Sequence, residues 1–210
     1  AQAAIGRGDT TGFRSSSQIA TAMRLHHLIN HLLCQGIAAS RHFISRMEEE
    51  EEKSKSAKDF LRDKRVRGLS TRLKDMAEVH SKVGAVRRLV RERIRRDNES
   101  RIIVFANYRD TVEALEDALT ELEGARAIQF IGQSRRSGSG GLTAKEQISR
   151  LSEFRDGGAN VLLATSVGEE GLDIPSADLV IFYEPVSSEI RTIQRRGRTG
   201  RRRQGEVVVL

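Results

Sequence analysis

The chain has 210 residues, long enough for one large domain or two small ones. Hydrophobic residues make up 38% and charged residues 31%, enough apolar matter for a core, which excludes a wholly disordered chain. Lys and Arg number 36 against 29 Asp and Glu, and the resulting +7 favours a polyanionic partner, nucleic acid first.

Residues 1–17 are rich in Gly, Ser and Thr and read as a loose connector with no signal-peptide pattern. Helical spacing begins near Gln18, where Ile19, Met23, Leu25, Leu28, Ile29, Leu32 and Leu33 fit an apolar stripe that Gly36 closes. His27 and His31 have the i,i+4 spacing of a metal pair. No acidic or Cys ligand stands at a telling distance, so they read as surface histidines and no metal site is expected. Cys34 reads as packed and inert; as the only Cys, it excludes a disulfide framework and a Cys-based zinc site. A second helix is predicted over residues 37–47 with Phe43, Ile44 and Met47. The run of five glutamates at 48–52 reads as a solvated segment facing Lys53, Lys55 and Lys58. Val66, Leu69, Leu73 and Met76 continue the helical spacing. Residues 81–96 put Val83, Val86, Val90 and Ile94 on one helix face and Arg87, Arg88, Arg91 and Arg95 on others, a basic surface for phosphates or an ordinary solvated one.

After residue 98 the pattern changes. Compact apolar runs at 102–106, 127–131, 161–164, 179–183 and 207–210 alternate with helical spacing at 112–122, 144–154 and 188–195. Thr143 and Glu146 have capping-box spacing. This alternation predicts an α/β fold, a parallel sheet covered by helices on both faces, with ligands beyond the carboxyl ends of the strands. No apolar run approaches the roughly 20 residues of a membrane helix. The expected location is intracellular, cytoplasmic in a prokaryote or nuclear in a eukaryote. The chain lacks a starting Met and stops inside an apolar run, so a piece of a longer protein is expected.

Chemistry concentrates after the runs. Residues 194–201, QRRGRTGR, place Arg195, Arg196, Arg198 and Arg201 around Gly197 and Gly200. Guanidinium forks suit phosphate oxygens, and the glycines permit close backbone approach. The cluster supports two readings, a nucleic-acid patch or arginine fingers for phosphoryl transfer. Residues 164–173, ATSVGEEGLD, offer the hydroxyls of Thr165 and Ser166, the open Gly168 and Gly171, and Asp173, whose carboxylate suits a ribose hydroxyl. FANYR (105–109) and FIGQS (130–134) come after two other strands.

In this order the four segments resemble motifs IV, IVa, V and VI of the second RecA-like domain of superfamily 2 helicases. With KEQ (145–147), NVLLATSVGEEGLDIP and VIFYEPV, the chain is similar to the Hef/FANCM/Mph1 group, which remodels branched DNA. Asp63-Lys64-Arg65 and the stretch around His80-Ser81-Lys82 resemble that group's helical insertion. The resemblance implies residues 1–97 as an all-α helical insertion region and 98–210 as a C-terminally truncated second RecA-like domain. No Gly-Lys dipeptide and no DEAH- or DEAD-type box occurs. The first RecA-like domain, which holds ATP and Mg²⁺ in this group, is therefore expected outside the chain, and the chain by itself is expected to be inactive. The roles implied are Arg198 and Arg201 as arginine fingers, Gln194 as a catalytic positioner, and Asp173 with Gly171 at the nucleotide. Arg109, Gly132, Thr165, Ser166, Arg195 and Arg196 are implied at the DNA. Arg87, Arg88, Arg91 and Lys74 are candidates for touching the second duplex of a fork. The implied function is an ATP-dependent helicase or translocase on branched DNA. The alternatives are an RNA helicase or a passive nucleic-acid-binding module.

Overall fold

In the computed structural model, residues 10–50, 53–132, 141–165, 176–185 and 205–210 are described. The expected helix at 188–195 lies outside them. Contacts divide the chain into two compact units, with the boundary between Glu78 and Val79.

The first unit is helical: α1 (Thr10–Asn30), a π-helical turn (His31–Gln35), α2 (Ile37–Glu49), α3 (Lys55–Arg62) and α4 (Lys64–Asp75). Helix α1 begins at Thr10, inside the stretch expected to be a connector. Gly and Thr content is only a weak prior against helix, and packing overrides it; here Gly12 is buried. Arg24 donates to Ser56 Oγ at 2.9 Å, and Thr21 Oγ1 donates to the Ser56 carbonyl at 3.3 Å, which ties α1 to α3.

The core of this unit gathers Leu28, Ile37, Phe43, Ile44, Met47, Ala57, Phe60, Val66 and Leu73. Phe43 meets Phe60 edge-on at 6.2 Å. Part of the predicted α1 stripe does not enter this core: Ile19, Met23, Ile29 and Leu33 are more than half exposed. The π-helical turn, closed by Gly36 N–H donating to the His31 carbonyl at 2.9 Å, adds a residue to the repeat and rotates the chain beyond it. It carries His31 inward, where its ring lies 5.0 Å from Phe43, and leaves Cys34 exposed. Both placements reverse the expectations of a surface histidine and a packed cysteine.

Polar caps define the short helices. Ser54 Oγ accepts from Ala57 N–H, and Asp63 accepts from Arg65 N–H at 2.8 Å while pairing with the Arg65 guanidinium. At the start of α2, both oxygens of Glu78 accept backbone N–H groups, from Ile37 at 3.2 Å and Ala38 at 2.9 Å. A carboxylate there satisfies orphan donors and complements the helix dipole.

The second unit is an α/β sandwich: α5 (Ser81–Arg96), β1 (Ile102–Ala106), α6 (Arg109–Thr120), β2 (Ala127–Phe130), α7 (Ala144–Arg155), β3 (Val161–Thr165), β4 (Leu179–Phe182) and β5 (Glu206–Val209). The five strands are parallel in the order β2-β3-β1-β4-β5. Alternate residues face opposite layers. Ile102, Val104, Val161, Leu163, Leu179 and Ile181 pack with Val112, Leu115 and Leu119 of α6. On the other face, Ile103, Phe105, Leu162, Val180 and Phe182 pack with Leu151 and Phe154 of α7. The Thr143–Glu146 capping box forms as expected.

Helix α5, placed with the helical region by the sequence reading, belongs to the unit that holds the sheet. Val83, Val86, Val90 and Ile94 share the core of β1, β3, β4 and α6. Its amphipathic pattern fixes that one face is buried, not which partner buries it. Among the described residues, no helix is long and apolar enough to cross a membrane.

Candidate nucleic-acid interface

The carboxyl edge of the sheet is built by residues just beyond β1, β2, β3 and β4. In a parallel sheet all these ends lie on one side, where crossover loops diverge and ligands bind. Register places Ala106 of β1 beside Thr165 of β3, and Phe130 of β2 beside Ala164. The end of β3 therefore lies between those of β1 and β2.

Arg109, on the first turn of α6, spans this gap. Its guanidinium donates to the Gly132 carbonyl at 2.7 Å. Two of the sequence-predicted contacts are thus brought together, both partly buried, while Thr165 between them is 5% exposed. A Cβ at Gly132 would meet nothing within 4 Å, so the backbone is open to a close neighbour on that side. Gln147 Nε2 donates to the Ile131 carbonyl at 2.9 Å and fixes the same loop from α7.

Sequence reasoning attached no role to the other half of the edge. Asn107 N–H donates to Glu184 Oε2 at 3.0 Å, joining the ends of β1 and β4. Lys82 Nζ donates to the Tyr183 carbonyl at 2.9 Å and lies 5.4 Å from the centre of its ring. The segments FANYR and VIFYEPV were visible in the sequence, but their pairing depends on β1 and β4 being neighbours.

Ser166, Gly171, Asp173, Gln194, Arg195, Arg196, Arg198 and Arg201 lie outside the described residues. What the chain offers a nucleotide is therefore read from its donor set: guanidinium groups for phosphate and one carboxylate for ribose. That set fits a nucleotide. Among the described residues, no group of three or more His, Cys, Asp or Glu assembles that could hold a metal ion.

The family described as the helicase conserved C-terminal domain matches residues 81–203, and a helical bundle of ATP-dependent RNA helicase description matches residues 2–80. The Hef helicase domain of Pyrococcus furiosus superposes with a TM-score of 0.64 at 40% identity, covering 100% of this chain and 43% of that one. A Methanocaldococcus jannaschii protein, whose name places it among ATP-dependent RNA helicases, is 43% identical over 189 residues, 90% of this chain. The ATP-dependent DNA helicase mph1 of Neurospora crassa is 44% identical over 113 residues, 54% of this chain. The chain spans 24% and 10% of the lengths of these two relatives. The chain belongs to the helicase conserved C-terminal domain family; it shares its RecA-like sheet and helical bundle with Hef, and about half of it matches FANCM and Mph1 proteins.

Proposed function

We propose that the chain is one half of an ATP-driven motor on branched DNA, working against a first RecA-like domain that holds ATP and Mg²⁺. The observation that carries this reading is the carboxyl edge of the sheet. There Arg109 bridges to Gly132 across the end of β3, so three of the four motif-bearing segments converge on one line. Arg109 and Gly132, with Thr165, Ser166, Arg195 and Arg196, form one side of a track that grips a strand by its phosphates. Such contacts position the protein without reading sequence and weaken as salt rises.

Arg198 and Arg201 reach the γ-phosphate from this domain and stabilise charge as it develops. Where such fingers have been measured they contribute roughly 10³–10⁵ in rate. Asp173 accepts from the ribose, Gly171 leaves it room, and Gln194 orients the nucleotide or the attacking water. Closure of the two domains brings these groups into place, and hydrolysis releases them. ATP supplies the phosphoryl group, and the groups named here bind and orient it. By itself the chain hydrolyses no ATP.

The names of the helical-bundle family and of the M. jannaschii relative favour a second reading, an RNA substrate with the same residues in the same roles. Competition decides between them in a protein carrying both RecA-like domains. Forked DNA stimulates ATP hydrolysis well above duplex RNA in the first reading, and the order reverses in the second. Nucleic-acid binding with no stimulated hydrolysis leaves only a passive binding module.

A further inference from the structure

The outward face of α5 is a row of arginines that the motor track does not use. Gly84, Arg88, Arg91 and Arg95 are all exposed and lie on one side of the helix, away from the buried Val83, Val86, Val90 and Ile94. Arg88, Arg91 and Arg95 form no ion pair among the described residues. Glu92, the helix's one acidic residue, does not bridge to them either. Of the other basic residues of the helix, Arg96 is exposed at its last position, and three are held or buried. Arg93 donates to Ser100 Oγ at 2.9 Å and lies 3.8 Å from Asp178, Lys82 holds the Tyr183 carbonyl, and Arg87 has its Nε buried.

Helix α5 runs antiparallel to the strands. Lys82 at its start touches Tyr183 beyond β4, and Arg93 near its end touches Asp178 before β4. The row therefore begins near the carboxyl edge that carries the track and descends the side of the same unit. From Arg88 to Arg95 the charged part of the row extends about 10 Å, at 1.5 Å per residue. Along the duplex axis that length corresponds to about three phosphates of one strand, one for each arginine.

Two features select the occupant. First, α5 contains no aromatic residue, so it lacks the stacking platform that unpaired bases need; regularly placed guanidinium groups suit a continuous phosphate backbone instead. Second, a glycine inside a helix is destabilising relative to alanine. A Cβ at Gly84 would meet nothing within 4 Å, so no neighbour among the described residues requires that glycine. A bare patch of helix backbone among arginines permits close approach of a sugar–phosphate chain.

We propose that Arg88, Arg91 and Arg95, with Gly84 as the approach point, form a seat for the phosphate backbone of double-stranded DNA beside the track. The proposal rests on the motor's nucleic-acid substrate being DNA and adds a second contact on the sheet unit itself. Arg87 and Lys74, candidates from the sequence, are not part of it.

The test uses the full chain with Arg88, Arg91 and Arg95 each changed to Gln, titrated with a blunt duplex DNA and with a single-stranded oligonucleotide over a range of salt. The seat predicts that duplex affinity falls at least tenfold at 0.1 M salt. The slope of log K against log salt should shrink by about 2–3, with single-strand binding held within twofold. Gly84→Leu should weaken duplex binding without lowering thermal stability, whereas a merely structural glycine would lose stability. An unchanged duplex slope, an equal loss on both ligands, or no duplex binding by the unmodified chain overturns the seat. Failure of the motor reading appears separately, as absent DNA-stimulated ATP hydrolysis in the two-domain protein.

Discussion

The two units hold together by different means. The sheet unit buries β1, β3 and β4 completely, and its stability comes from apolar area on both sides of the sheet. The helical unit has one core cluster and depends on polar groups that start each short helix: Glu78 on α2, Ser54 on α3, Asp63 on α4. A sheet held by this much buried apolar area is little affected by substitutions beyond its strand ends. A bundle of short helices is sensitive at its caps.

That contrast can be pressed at three points. The largest effect is expected in the sheet unit, where Phe154 of α7 is fully buried against the sheet. Phe154→Ala should cost about 3–5 kcal/mol in chemical denaturation; a loss below about 1 kcal/mol would mean that the sheet face is not held by packing. In the helical unit, Gly36 has φ 113°, and an added Cβ would stand 2.8 Å from Glu78 Oε2. Gly36→Ala should cost about 1–3 kcal/mol through the strained backbone and should also displace the Glu78 cap, which is visible as faster amide exchange at Ile37 and Ala38. Retained protection at both amides would separate the glycine from the cap.

The smallest effect concerns pH. The hydrogen bond from the Arg65 side chain, with that from its backbone N–H, holds the Asp63 carboxyl at about 2, below its ordinary 3.8. The folded-state value is the lower one. Its contribution to stability is therefore present above about pH 4 and is lost as pH falls from there through 2. Asp63→Asn should flatten that part of an acid titration followed by circular dichroism, while keeping the cap.

Much of the sheet was legible because its strands are continuous apolar runs between amphipathic helices. Helix α5 was legible as a helix but not as part of the sheet unit, since Val83, Val86, Val90 and Ile94 would bury equally well against other helices. His31 and Cys34 were misplaced because a π-helical turn changes the repeat locally and no residue type announces it. At the candidate site, FANYR and FIGQS follow β1 and β2 at the carboxyl edge, as their order in the sequence suggested. The Arg109–Gly132 and Asn107–Glu184 bonds needed the strand order, which periodicity does not contain. The roles of Arg198 and Arg201 rest on the donor chemistry of QRRGRTGR and on membership of the helicase family.

Arg198→Ala in a protein carrying both RecA-like domains tests the motor reading most directly, with forked-DNA-stimulated ATP turnover and DNA affinity measured side by side. The account predicts turnover reduced by roughly 10³ or more, with DNA affinity nearly unchanged. Undiminished turnover, or a loss confined to DNA affinity, would contradict it.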